Sequence, residues 1–181
     1  MIDLSTYNNS WYNPGSFLKR ITWHYINCIF FKSGYFPIYR LKVFLLKLFG
    51  ASVGKCVLIK PYVNIKYPWL LSIGHYVWIG ENVWIDNIAF VLIENNVCIS
   101  QGALLLTGNH NYKKKSFDLV PGKIILEEGV WLGAQSIVCP GITCKSHSVL
   151  SVGSVATKNL EPYFIYRGNP AIKIRERILE S

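Results

Sequence analysis

The stretch LEEGVWLGAQSIVCPGITCKSHSVLSVGSVA, Leu126 to Ala156, decides the fold. Read in sixes, its first places are Leu126, Leu132, Val138, Cys144, Leu150 and Ala156. Four residues after each of the first five stands a small or β-branched residue: Val130, Ser136, Ile142, Ser148 and Ser154. Helices repeat every 3.6 residues and strands every 2, so neither explains a period of six. Alternating short strands and corners do, and three strands close a triangular coil of about 18 residues. The expected fold class is therefore an all-β solenoid, a parallel β-helix.

The same pattern extends backwards. It starts at Val53, continues at Ile59 and Ile65, slips by two residues near Tyr67-Pro68, and resumes at Ile73, Ile79 and Ile85. A second slip of two leads to Ile93, Ile99 and Leu105. The register then breaks until Leu126, so part of that interval must leave the wall. It contains Thr107-Gly108-Asn109-His110-Asn111-Tyr112, Lys113-Lys114-Lys115 and Ser116-Phe117-Asp118-Leu119. A regular solenoid interrupted by a polar loop carrying a histidine marks where function should sit.

Three regions are expected: a polar arm and basic amphipathic helices over 1–50, the β-helix with its loop 106–125 over 51–160, and a tail over 161–181. Ser16 caps a helix from Phe17 to about Lys32, and a second runs from about Ile38 to Phe49. The tail Ile172–Leu179, mixing basic and apolar residues, reads as a short helix. The chain of 181 residues is 51% hydrophobic with a net charge of +9, which excludes a disordered chain and fits one compact domain. The charge is uneven: residues 1–60 hold eight basic groups and only Asp3 as an acid, while the rest hold eleven basic and nine acidic groups. The helices either cap the open end of the solenoid or rest basic and aromatic side chains on an anionic membrane, and the two are compatible. The uncharged run Ile21–Phe31 is too short to span a bilayer. Met-Ile-Asp-Leu at the N-terminus is not a signal-peptide start, so a cytoplasmic protein is expected, with peripheral contact at the inner face of the membrane on the second reading. The excess charge follows no nucleic-acid reading motif, so no nucleic-acid partner is expected.

Five scattered cysteines without CxxC read as reduced thiols, several of them inside the coil, rather than disulfides. Cys139, Cys144 and His147 raise the question of a metal, but Cys144 takes an inward place and Cys139 a corner, so they should not converge and no metal site is expected. His24, His75 and His147 read as structural or exposed.

The hexads, the Thr-Gly-Asn-His110 loop, Val130-Trp131-Leu132-Gly133-Ala134 and the closing Arg167-Gly-Asn-Pro-Ala171 together resemble the left-handed β-helix, hexapeptide-repeat acyltransferases. Phe49-Gly50-Ala51, Ile59-Lys60-Pro61 and Tyr67-Pro68-Trp69 extend the likeness to the colanic-acid-type O-acetyltransferases of exopolysaccharide synthesis, over nearly the whole chain. That resemblance implies left-handed coils, a homotrimer, and acetyl-CoA as cosubstrate, with no metal, in grooves between subunits. The acceptor it implies is a sugar or lipid-linked oligosaccharide; a small soluble acceptor such as a free sugar, an antibiotic or a serine-like amino acid is the alternative.

Acyl transfer from a thioester to a hydroxyl needs a base and an oxyanion donor, and imidazole is basic near neutral pH. By resemblance His110 is the base and the backbone N–H of Ala134 the oxyanion donor. Asp118, Asp86 or a main-chain carbonyl could hold the imidazole tautomer. Asn109 positions the sugar or serves as a turn residue, and Asp86 is a further candidate on the acceptor side. The resemblance places the pantetheine arm along Gly133, Ala134, Ser151 and Gly153, where small residues allow close approach, and the phosphates near Lys158 and Arg167. Trp131 either walls the acyl end or packs between subunits.

Overall fold

The computed structural model describes residues 1–180. Two α-helices come first, α1 (Phe17–Ile26) and α2 (Tyr39–Leu48). The Ser16 side chain accepts from the Lys19 N–H, as an N-cap should. After Ile26 the first helix widens into a π-helical turn, Asn27–Phe31, instead of staying α-helical to Lys32. Three coils follow: β1–β3 (Ser52–Val53, Leu58–Ile59, Asn64–Ile65), β4–β6 (Leu71–Ile73, Trp78–Ile79, Trp84–Asp86) and β7–β9 (Val91–Ile93, Cys98–Ile99, Leu104–Leu106). A hairpin of β10 (Gly108–His110) and β11 (Leu119–Pro121) leaves the wall. Two more coils are β12–β14 (Ile124–Leu126, Trp131–Leu132, Ile137–Val138) and β15–β17 (Thr143–Cys144, Val149–Leu150, Val155–Ala156), before β18 (Phe164–Gly168) and β19 (Ala171–Glu176).

The strands stack into three parallel faces. The first is β1-β4-β7-β12-β15, the second β2-β5-β8-β13-β16-β18-β19, and the third β3-β6-β9-β14-β17. Every hexad place expected to point inward, from Val53 to Ala156, is buried in one continuous apolar core. The corners are equally periodic. Between the first and second faces the chain turns through left-handed backbone at Cys56, Tyr76, Asn96, Gly129 and His147; between the second and third it does so at Tyr62, Asn82, Gly102, Gln135 and Gly153. At these two corners one residue of positive φ per turn lets six residues cover a strand and a bend. The extra residues near Tyr67-Pro68 form a 3-10 turn, Pro68–Leu70. The buried Asn87 side chain holds it by bonding Tyr67 N–H, Tyr67 C=O and Leu70 C=O.

The helices plug the open end of the first coil and answer its exposed backbone. Trp23 Nε1 donates to the Ile65 carbonyl at 2.8 Å, Asn27 accepts from the Ile65 N–H, and the buried Lys42 ammonium donates to the Lys60 carbonyl at 2.8 Å. Trp23, Phe31, Leu45 and Leu46 fill the coil mouth. An uncovered strand edge would otherwise invite pairing with another chain.

The tail corrects the expectation of a short helix. Residues Ala171–Glu176 form β19, antiparallel to β18, which itself pairs with β16. Ile172, Ile174 and the basic residues between them alternate with period two, and a neighbouring strand supplies the partner that makes a strand preferable.

Only Cys144 of the five free cysteines is fully buried, and Cys56 is exposed. Burial among apolar atoms pushes the Cys144 thiol up to about 12, with the nearby Glu127 carboxylate adding to it. His75 Nδ1 accepts from the Lys55 N–H, a purely structural use.

Candidate active site

His110 sits on the out-of-wall hairpin. Gly108, Asn109 and His110 pair antiparallel with Pro121, Val120 and Leu119, which fixes the backbone on both sides of the loop tip. The tip is further tied by the Asn111 N–H to the Asp118 carbonyl at 2.8 Å. Phe117 adopts left-handed backbone at φ 51°, and its ring stacks on the imidazole with centroids 4.5 Å apart. Its carbonyl lies 2.9 Å from His110 Nδ1. A carbonyl only accepts, so Nδ1 carries the proton in the neutral ring and Nε2 keeps its lone pair. Asp118 does not take part: its carboxylate receives the Ser116 hydroxyl and the Lys114 ammonium, which together hold it below the usual carboxylate range. Of the alternatives open in the sequence, the main-chain carbonyl orients the ring. Asn109 is exposed, and its side-chain oxygen accepts from the His110 N–H.

A cleft of about 450 Å³ opens beside the imidazole, bounded by Lys66, Tyr67, Asp86, Ile88 and Leu119. Its outer wall comes from the N-terminal arm: Tyr7, Asn9 and Tyr12. The arm is pinned there by Tyr12 Oη to the Ile88 carbonyl at 2.8 Å, by the Asp3 N–H to the Lys115 carbonyl at 2.9 Å, and by an Asp3–Lys115 ion pair at 3.4 Å. Asp86 faces outward from β6, with Lys66 Nζ 2.8 Å from one carboxylate oxygen. That oxygen is buried and lacks an aligned hydrogen-bond donor among the described residues.

A second cleft, of about 640 Å³, lies on the second face and its corner with the third. Trp131, Gly133, Ala134 and Ser151 line it. Trp131 is half-exposed and its Nε1 donates to Ser100 Oγ at 3.0 Å. At the Gly133–Ser136 corner the Gln135 N–H donates to the Gln101 carbonyl and the Gly133 N–H to the Leu150 carbonyl. The Ala134 N–H has no acceptor among the described residues. A free amide on a rigid corner is suited to a developing negative charge.

The two features stand at different corners of one prism. Parallel strands of the third face all begin at the corner holding Ala134 and all end at the corner from which the His110 hairpin springs; β9 and β14 are paired in register along that face. The wall therefore separates the two features within a single copy.

No family model matches the chain. WcaF of Escherichia coli strain K12, provisionally named a colanic acid biosynthesis acetyltransferase, is 35% identical over 167 residues, spanning 92% of each chain. A hexapeptide-repeat acetyltransferase from Vibrio cholerae, solved with acetyl coenzyme A, superposes with a TM-score of 0.79 at 19% identity, covering 89% of this chain and 88% of that one. This chain belongs to the hexapeptide-repeat acetyltransferases. Its coils are accordingly those of a left-handed β-helix. The galactoside O-acetyltransferase of Escherichia coli K12 is 30% identical over 135 residues, 73% of this chain and 66% of the relative. A galactoside acetyltransferase solved with coenzyme A gives a TM-score of 0.79 at 25% identity, covering 89% of this chain and 82% of that one.

Within this acetyltransferase the residues singled out from the sequence divide unevenly. His110 and Asp86 share one cleft; Trp131, Gly133, Ala134 and Ser151 share the other. Gly153 lies just beyond, at the next coil's corner, with φ 64° and open space where a side chain would go. Gly133 is small for a different reason than cofactor approach. A Cβ there would stand 2.6 Å from the Val152 nitrogen, so glycine is needed for coil-on-coil packing. Lys158 and Arg167 are exposed and line neither cleft; Arg175 and Arg177 of the tail line the second cleft instead. Arg177 is partly committed to the Gly129 and His147 carbonyls. Sequence reasoning missed these two arginines because a helix was expected there. It missed Tyr7, Asn9 and Tyr12 because an arm rich in turn residues gives no sign of where it docks.

Proposed function

We propose that this acetyltransferase moves the acetyl group of acetyl-CoA to a hydroxyl of a sugar in an exopolysaccharide precursor, as a homotrimer, with His110 as general base. The observation that carries the proposal is the His110 ring itself: anchored at Nδ1 by the Phe117 carbonyl, with Nε2 free beside a cleft. Nε2 takes the acceptor's hydroxyl proton as its oxygen attacks the thioester carbon. The oxyanion that forms is received by the Ala134 N–H, supplied by a neighbouring copy, because one prism keeps the two groups at separate corners. Collapse breaks the C–S bond, and the imidazolium returns its proton to the leaving thiolate, giving coenzyme A and the sugar ester. Arg175 is the exposed cation best placed along the second cleft for a cofactor phosphate. The similarity to WcaF supports a polysaccharide precursor as acceptor; the similarity to galactoside O-acetyltransferase supports a free sugar as the second reading.

The N-terminal helices support peripheral contact with an anionic membrane from the cytoplasmic side. Phe17, Leu18, Ile21, Tyr25 and Ile29 form an exposed apolar strip along the first helix, in the most basic part of the chain. No helix among the described residues is long and apolar enough to cross a membrane.

Coenzyme A release with a hydroxylated sugar tests the catalytic proposal. The wild type should turn over, and His110→Ala should lose about 10²–10⁴ in kcat; unchanged turnover would remove His110 as the base. Flotation with anionic vesicles tests the membrane contact, which should weaken with salt and vanish when Phe17, Leu18 and Tyr25 are replaced by serine; flotation that survives the replacement would refute it.

A further inference from the structure

The cleft at His110 does not end at Asp86. Lys66, Tyr67 and Asp86 also bound a second hollow of about 320 Å³ that continues beneath α1, where Arg20, Lys32 and Trp84 line it. The two hollows thus form one groove leading from the imidazole to the helical cap. Three permanent cations line it, Arg20, Lys32 and Lys66, against one carboxylate, Asp86, leaving a net charge of +2 with the histidines neutral. Asp86 is already paired with Lys66, and neither Arg20 nor Lys32 has a carboxylate partner among the described residues. Arg20 Nε is buried with no acceptor among the described residues. A buried, charged donor left without an acceptor is costly, and an anion in the groove would satisfy it.

We infer that the acceptor of the proposed reaction carries a diphosphate, held by Arg20, Lys32 and Lys66, while its sugar lies across Tyr67 and Asp86 with a hydroxyl at His110. This rests on the catalytic reading above and adds the chemical class of the substrate. A guanidinium fork with two ammonium groups along a groove matches several phosphate oxygens better than a single carboxylate. The diphosphate is a handle and is not broken; the only bonds that change are those of acetyl transfer. Trp84, half-exposed at the groove wall, offers an apolar face to the sugar ring. Lipid carriers and nucleotides both present sugars on a diphosphate, and the groove lies beside α1, whose other side is the exposed apolar strip.

The test is calorimetric titration of inorganic pyrophosphate into the full chain saturated with coenzyme A, so that the cofactor's own phosphate contacts are occupied. Wild type should bind one pyrophosphate per chain. Arg20→Gln and the exposed Lys32→Gln should each weaken binding by about tenfold or more, as expected for loss of a charge-assisted hydrogen bond. Lys113→Gln, on the loop tip, should bind as wild type does. Absence of binding to the wild type, or equal binding by the Lys32 variant and the wild type, would overturn the inference. His110→Ala should still bind pyrophosphate while losing acetyl transfer. A wild type that acetylates a neutral sugar yet ignores pyrophosphate would leave the catalytic reading standing and sink this one. Displacement separates the sources. Stronger competition by farnesyl diphosphate assigns a lipid carrier, stronger competition by uridine diphosphate a nucleotide, and equal competition the diphosphate alone; competition by neither overturns the inference.

Discussion

Replacing Lys42 by methionine should stabilise the protein near neutral pH and lose that advantage as the pH rises. The Lys42 side chain is fully buried between the second helix and the first coil, with the Lys60 carbonyl as its hydrogen-bond partner and the Phe31 ring 5.8 Å from its nitrogen. No carboxylate among the described residues pairs with it. Desolvation lowers its pKa from the ordinary 10.5 to about 8. The unfolded chain therefore holds more protons than the folded one between those values, and the stability of the wild type rises across that window. A drop of that size corresponds to about 3.4 kcal/mol at 1.36 kcal/mol per pH unit. Relaxation of the protein around the buried charge trims the expected change to about 2 kcal/mol. Methionine also forfeits the bond to Lys60, but a neutral amine can donate that bond too, so this loss shifts the difference without tilting it. Urea unfolding of both proteins at one concentration, followed by circular dichroism from about pH 7 to about pH 10.5, isolates the Lys42 contribution. The stability gap should be level below about pH 8 and then move in favour of the wild type by about 2 kcal/mol. A gap that stays constant within about 0.5 kcal/mol over the whole range would refute the burial argument.

Asp118→Asn should keep kcat within about threefold of wild type, because the Phe117 carbonyl orients the imidazole; a loss approaching the ~10²–10⁴ expected of His110→Ala would return that role to the carboxylate. Ile85→Ala empties a fully buried place in the second coil and should cost about 2–5 kcal/mol, lowering Tm by at least about 5 °C in thermal unfolding; a smaller shift would mean the coil can collapse around the gap. Ser148 Oγ is buried without a partner among the described residues, so Ser148→Ala should be neutral or stabilising by up to about 1 kcal/mol; a destabilisation in chemical denaturation would reveal an acceptor for the hydroxyl.

The wall was legible because a buried place every six residues leaves its mark on residue choice. Leu126, Leu132 and Val138 could be assigned inward positions by spacing alone, and all three are buried. The helix starting after Ser16 was legible through its cap, but its widening at Asn27–Phe31 was not: Asn27 must turn inward to meet Asn64 and Ile65, a demand set by the coil beneath it. The tail went wrong because a short stretch of mixed basic and apolar residues suits either a helix or an edge strand, and only β18 decides between them. His110 stood out as a polar interruption of a regular series. Its orienting partner did not, since a main-chain carbonyl has no residue signature and could come from anywhere in the loop. The groove under α1 was invisible for a similar reason: Arg20 and Lys66 lie far apart in the chain and meet only because the helix folds back over the third face.

The His110 hairpin leaves between β9 and β12, yet β9 and β14 pair in register, and so do β7 and β12. The masonry closes behind the excursion as though nothing had been inserted. Doubling the length of such an insert adds only about 0.6 kcal/mol of closure entropy. Selection can therefore rewrite the reactive outgrowth, in size and in chemistry, while the tower that bears it stays put, and a swapped insert from a distant cousin should be accepted by this scaffold without remodelling a single course of it.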